Sequence, residues 1–354
     1  MVDGDVHTPT VRFPYATGFL PLVLLVLTLA ACQTKGGGSH AAGDVSAAGE
    51  PLSADEERER ARGLLEEGRA EEALTVLALA DSLAPGDEET IALRARVEAD
   101  TGNLEEGISL LEGARLQHPR SKEIGSALHD LLVAGARADF ENENYPAAWE
   151  RLNEAGELEP DTPEVYYLRG MVAYSLARSG PAEENAAHVE ESVRSFRAVL
   201  EHDPDDDDAR FNLGASLLAA GRAREAAETY EELIERRPTD GRLYLALSRA
   251  HSLEGNVEAA VVEEAIGRAL RSDRPVEDPA LWASRAAERF PDSDLSATYL
   301  ERGSPDAIYT YTLPGGVLVE VWFYGEGAFV AAFQDGTHVG TPYRAGAGEE
   351  DRQD

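Results

Sequence analysis

A single cysteine in 354 residues leaves no partner for a disulfide within the chain. Stability has to come from packing, even in an oxidising compartment. Histidine is scarce too: eight residues, scattered, with no His-Cys, His-x-x-x-His or His-Glu-x-x-His spacing, which argues against a metal site. Basic residues are outnumbered 32 to 67, giving a net charge of -35. A chain this acidic is repelled by nucleic acid and by anionic head groups, and basic partners are favoured. There is no Gly-x-Ser-x-Gly, phosphate-binding loop or dinucleotide fingerprint. No catalytic residue, metal ligand or cofactor is expected, and nucleic acid is excluded as a partner.

What is present begins with the position of that cysteine. Cys32 closes Leu29-Ala30-Ala31-Cys32, directly after an apolar run from Gly18 to Leu29 that has the length of a signal-peptide core and falls short of the roughly 20 residues of a membrane span. The spelling is that of a lipoprotein signal: cleavage after Ala31 leaves Cys32 as a lipidated N-terminus. An ordinary secretory signal cut near Ala31 and an uncleaved anchor are the alternatives, and the single base ahead of the apolar run, Arg12, stands against Asp3 and Asp5. Loss of residues 1–31 removes those two acids and one base, moving the charge from -35 to -34. Gln33 after the cysteine resembles outer-membrane lipoproteins of two-membrane bacteria, implying an anchor there that faces the periplasm. Residues 32–53 are rich in Gly, Ala and Ser without apolar periodicity, a flexible tether reaching about 25 Å. The tail from Ala345 to Asp354 is acidic and Gly-rich, and is expected to be disordered.

From Ala54 a phrase of about 34 residues returns: helix, turn with Gly or a small residue, second helix with Ala and an apolar residue, then Pro. Its clearest copy, Asp207 to Asp240, holds Leu213-Gly214, Leu217, Gly221, Ala226, Tyr230, Leu233 and Pro238. Other copies keep Ala61, Gly68, Ala73 and Pro85; Ala95, Gly102, Leu111 and Pro119, with Gly107 in place of the usual Ala; Ala136, Tyr145, Ala148 and Pro160; Tyr166, Gly170, Phe196 and Pro204; and Tyr244, Leu247, Gly255 and Ala260. The third copy has an extended first helix, and the fourth carries about ten extra residues between Ser179 and His188. These repeats resemble tetratricopeptide repeats. The resemblance implies a mostly α, right-handed superhelical solenoid of about six repeats over residues 54–276, capped by a helix pair in 277–303. Residues 304–344 switch to period-two apolar runs, Ala307 to Leu313, Gly316 to Tyr324 and Ala328 to Gln334, with Thr337 to Tyr343 as a further candidate. They are expected to form a small C-terminal antiparallel β-meander, with Val317, Val319, Val321 and Phe323 on one face and Leu318, Glu320, Trp322 and Tyr324 on the other.

Tetratricopeptide arrays use the first helix of each hairpin to line a concave surface, which implies a partner-binding groove containing Tyr167, Met171 and Tyr174 of repeat four, Phe211, Ala215 and Leu218 of repeat five, and Leu245 and Arg249 of repeat six. The competing reading packs these aromatics against adjacent repeats. The lysines of a carboxylate clamp are missing. The acidic run Asp203 to Asp208 lacks the Gly and Glu of a calcium loop, with Asp208 and Gly214 in their places, and reads as a solvated turn ahead of a helix. The resemblance implies a non-catalytic, membrane-anchored scaffold in the bacterial cell envelope that grips another envelope protein or peptide. A ligand-binding or enzymatic lipoprotein acting through the C-terminal sheet is the alternative.

Overall fold

Ser53 starts the first helix with a capping box: its side-chain oxygen accepts from the Glu56 backbone N–H, and Glu56 accepts in return from the Ser53 backbone N–H at 2.7 Å. The same device recurs along the chain, with Asp87, Asp206 and Asp240 each capping a first helix through a carboxylate that accepts a backbone N–H. The structure, a computed structural model, describes residues 52–180, 182–271, 275–313, 315–325 and 329–340. Cys32, the signal peptide, the tether and the acidic tail lie outside the described residues.

Among the described residues, twelve helices pair as six hairpins: α1 (Ala54–Glu66) with α2 (Ala70–Leu83), α3 (Glu88–Asp100) with α4 (Leu104–Gln117), α5 (Lys122–Glu141) with α6 (Tyr145–Leu158), α7 (Pro163–Ser179) with α8 (Ala182–His202), α9 (Asp207–Ala219) with α10 (Ala223–Arg236), and α11 (Gly241–Glu254) with α12 (Val257–Arg271). Two shorter helices come next, α13 (Pro279–Arg289) and α14 (Asp294–Arg302), then strands β1 (Ala307–Thr312), β2 (Leu318–Tyr324), β3 (Phe329–Gln334) and β4 (Thr337–Gly340). The extra residues of the fourth repeat are not a loop. They lengthen its helices to 17 and 21 residues, against 13 and 14 in the next hairpin. The chain divides into two compact units, Met1–Ala134 with Glu157–Glu159, and Gly135–Gly156 with Pro160–Asp354.

In five of the six hairpins the turn has one geometry, while in the fourth Gly180 closes α7 in an extended conformation. Gly68, Gly102, Gly221 and Gly255 all adopt positive φ, and each closes a Schellman motif, as where Arg222 N–H reaches Leu217 O at 2.9 Å and Gly221 N–H reaches Leu218 O at 3.1 Å. In the third hairpin Glu143 occupies that left-handed position with φ 60, and its neighbour Asn144 makes the matching bond to Asp139 O at 2.8 Å. A side chain there costs about 1–2 kcal/mol, partly offset by glycine's greater freedom when unfolded. Glu143→Gly is therefore expected to raise stability by about 0.5–1 kcal/mol in urea denaturation. An unchanged or lowered midpoint would contradict the strain.

Close helix approach selects the small residues. A Cβ added at Gly214 would stand 2.6 Å from the Tyr230 ring, and one at Gly107 would stand 2.5 Å from the carbonyl oxygen of Ala95. The substitution of Gly for Ala at 107 is thus demanded by how tightly α3 and α4 meet. The first unit buries Ala61, Leu64, Ala73, Val76, Leu77 and Val97 between its hairpins. In the second unit, one core runs through Phe196, Leu213, Leu217, Tyr230, Leu233, Tyr244 and Ile266 and continues into Val319, Val321 and Phe323 of the sheet.

The four strands pair antiparallel in chain order. One face of the sheet packs on α12. The other carries Ile308, Trp322, Ala331 and Phe333, which meet Ala283, Ala286 and Leu295 of α13 and α14. The surface presented by α12 is therefore covered by the sheet, in the place where the α13–α14 pair is expected from the sequence. That pair instead roofs the far side. The reason lies in the alternation of β2, which is apolar on both faces and has to be buried on both.

Candidate functional site

Among the described residues, no group of three His, Cys, Asp or Glu side chains is placed to hold a metal. The run from Asp203 to Asp208 is a paired turn: Arg236 binds Asp205 at 2.9 Å and Asp207 at 3.0 Å, and Asp206 caps α9 by accepting from Ala209 N–H at 2.8 Å. Chemistry has to be sought in surfaces.

Aligning five hairpins on their left-handed turn residues, and the fourth on the start of its first helix, gives every first helix the same numbering and brings out an ion-pair ladder. An arginine at the ninth position of one repeat meets an acid at the second position of the next. Arg62 pairs with Glu89 at 3.8 Å and Arg96 with Asp130 at 3.5 Å in the first unit; Arg137 pairs with Glu164 in the second. The ladder then stops. The ninth position holds Met171 in repeat four and Ala215 in repeat five, and the second position of repeat six holds Arg242 in place of an acid. Where charge is withdrawn, an apolar strip remains on α7 and α9.

The predicted groove residues divide around that strip. Met171, Phe211 and Leu218 are partly buried, packed on the core of the second unit. Phe211 lies edge-on to Tyr230 with ring centres 5.7 Å apart, under the guanidinium of Arg242 at 6.0 Å. Tyr174 and Ala215 are half-buried, and Arg178 lies over the Tyr174 ring at 5.8 Å. Arg249 is exposed. Burial pushes the Tyr230 hydroxyl above its ordinary pKa, with Tyr174 adding to the rise and the Arg249 charge opposing it, so these three groups from α7, α10 and α11 share one locality.

Two residues are taken up by packing, Tyr167 fully and the half-buried Leu245 in part. Tyr167 is only 3% exposed, with its ring edge-on to Phe196 at 5.7 Å and its hydroxyl accepting from the Asn212 amide at 3.1 Å. It belongs to the junction of α7, α8 and α9. Leu245 packs over Gly267, where an added Cβ would be 2.7 Å from it, and remains half-buried. The ladder itself escaped the reading of single residues. Its signal is nevertheless written in the repeats: arginine at the ninth position of the first three, acid at the second position of the three after the first.

Sequence profiles of the tetratricopeptide repeat match residues 177–240 and, in a second version, residues 64–131 and 217–287. The chain belongs to the tetratricopeptide-repeat family. Aspartyl/asparaginyl beta-hydroxylase of Mus musculus is 26% identical over 140 residues, 40% of this chain. The match spans only 18% of that relative's length. Among solved structures, YrrB, a TPR protein with an unusual peptide-binding site, is 15% identical, with 56% of this chain and 93% of that one covered at a TM-score of 0.44. MamA from Desulfovibrio magneticus RS-1 is 18% identical, with 51% and 93% covered at a TM-score of 0.38.

Proposed function

We propose that this tetratricopeptide protein is a non-catalytic scaffold of the bacterial cell envelope, anchored through a lipid on Cys32 in the outer membrane and facing the periplasm, where its repeats grip another envelope protein. The observation that carries the binding reading is the interrupted ladder. Wherever the ninth and second positions pair, the first-helix face is sealed by charge; at Met171, Tyr174, Ala215 and Leu218 it is apolar and half-open. Such a strip supports contact with an apolar peptide or helix. The alternative, a ligand-binding or enzymatic C-terminal sheet, is disfavoured because β2 and β3 are covered on both faces.

The anchor and the groove are tested separately. Cys32→Ser should move the protein from the membrane to the soluble fraction; a wild-type protein found soluble would remove the anchor. Crosslinked co-purification from native membranes should recover an envelope protein with the full-length chain and lose it with Tyr174→Ala combined with Leu218→Ala, with the helical circular dichroism unchanged. A partner retained by that double variant would move the binding surface elsewhere.

A further inference from the structure

The broken ladder leaves two opposite charges without their rungs. Asp208 stands at the second position of repeat five, where Met171 of repeat four has replaced the arginine it would have met. Arg249 stands at the ninth position of repeat six, and α12 is covered by the sheet, so among the described residues no seventh hairpin brings an acid at its second position. Both residues are exposed. Among the described residues neither has an ion pair within 4.0 Å. Arg242, which feels the charge of Asp208, is held by Asp240 at 2.7 Å. Unlike Asp208 and Arg249, each ladder rung, Arg62–Glu89, Arg96–Asp130 and Arg137–Glu164, is closed from within the chain.

Resting on the groove reading, we propose that the partner is a segment with apolar residues in its middle, a lysine or arginine at one end and an aspartate or glutamate at the other, which completes both orphaned rungs by pairing with Asp208 and Arg249. The apolar middle fits because Phe211 and Ala215 follow Asp208 along the same helix, at the fifth and ninth positions of repeat five. Asp208 and Ala215 are seven positions apart, about two turns or 10 Å along α9, and Arg249 occupies the same register on the neighbouring hairpin. The single acid suits a chain of net charge -35. At long range that field repels an acidic partner, so a segment of many carboxylates is excluded, whereas one carboxylate balanced by a base is not. Opposite charges at the two ends also fix the direction in which the segment lies, which an apolar strip alone does not.

The experiment selects phage-displayed random 12-residue peptides on the full chain and measures the enriched peptides on four variants. Peptides with an acid and a base flanking apolar residues are expected. Arg249→Glu and Asp208→Lys should each weaken them about tenfold, and a peptide with its two charges exchanged should recover affinity on the doubly swapped protein. Both side chains are exposed, so the swaps leave the fold intact, which circular dichroism verifies. Peptides that lose binding on Tyr174→Ala but ignore both charge swaps would overturn the charge register and leave the groove standing. Peptides indifferent to Tyr174→Ala, or no enrichment at all, would overturn the groove reading together with this one.

Discussion

Glu320→Ala is expected to destabilise the second unit by about 3–5 kcal/mol, the scale for stripping the charge from a buried, fully paired group. Glu320 lies in the middle of β2 at 2% exposure. Its carboxylate accepts from the Trp282 indole N–H at 2.9 Å, the Trp322 indole N–H at 3.2 Å and the Arg289 guanidinium at 2.6 Å. Three donors from α13 and β2 thus converge on one acceptor, and together they fasten the α13–α14 roof to the sheet. Alanine leaves Trp322, which is fully buried, with an N–H and no water to receive it. Arg289 suffers less, because its half-exposed side chain can turn to solvent while still lying over Phe290 at 4.8 Å. Glu320→Gln keeps an acceptor for the indoles and should cost roughly 1–2 kcal/mol. The measurement is urea unfolding followed by tryptophan fluorescence, with hydrogen exchange of β2 and α13 locating the loss. Equal stabilities for wild type and the alanine variant would show that the roof is held by its apolar contacts alone.

That Glu320 is a fastener could not be read from its neighbours in sequence. Its placement on the Trp322 face follows from period two, and the register Thr310↔Glu320 and Glu320↔Phe333 agrees with it. Its partners Trp282 and Arg289 come from a helix more than thirty residues earlier, and no local rule relates them. The same division runs through the chain. Turns are legible because only glycine is at ease at positive φ, so Gly68, Gly102, Gly221 and Gly255 mark four hairpins. Glu143 hides the fifth behind an ordinary residue. The added residues of the fourth repeat contain Glu184, Ala186 and Ala187, good helix formers, and lengthen the helix where repeat spacing suggests an insertion. Tyr167 and Phe211 hold the same position in successive repeats, yet Tyr167 is buried and Phe211 only partly so, because the ring of Phe196 and the amide of Asn212 enclose Tyr167. Repeat position predicts the direction in which a side chain points; its depth depends on what the adjacent helices place beside it.

Raising the pH from 5 to 8 is expected to weaken the packing of α10, α11 and α12, contrary to what a protein held by surface ion pairs would do. The cause is a buried cluster. His251 Nδ1 lies 2.8 Å from Glu263 Oε2, and His251 Nε2 lies 4.0 Å from Glu231 Oε1, with Glu254 on the same helix and Glu228 beside Glu231 adding negative charge. Glu263 is 0% exposed, and His251 is 4% exposed. Burial drives Glu231 from 4.5 up to about 7; burial also raises Glu263, while the hydrogen bond that His251 donates to Glu263 raises His251 above 6.5. All three shifts have one sign, so the folded cluster holds more protons than the unfolded chain. The contribution of Glu231 is complete below about pH 4.5 and disappears as pH rises through about 7, a change on the order of 3 kcal/mol; that of His251 is complete below 6.5 and disappears above its raised folded value. Acid acts in the other direction further down. At Asp87 hydrogen bonds from Thr90 and pairing with Arg58 outweigh burial and hold the carboxyl below 3.8, and at Glu225 the Arg222 hydrogen bonds hold it below 4.5, so both lose their contribution as pH falls through those lowered values. Stability should therefore peak in mild acid, near pH 5. Urea midpoints between pH 5 and 8.5 should fall for the wild type and flatten for Glu231→Gln, with hydrogen exchange quickening in α10 to α12 as pH rises after correction for the intrinsic rate. A flat wild-type profile, or a slope that Glu231→Gln leaves unchanged, would show that the cluster does not take up its proton on folding.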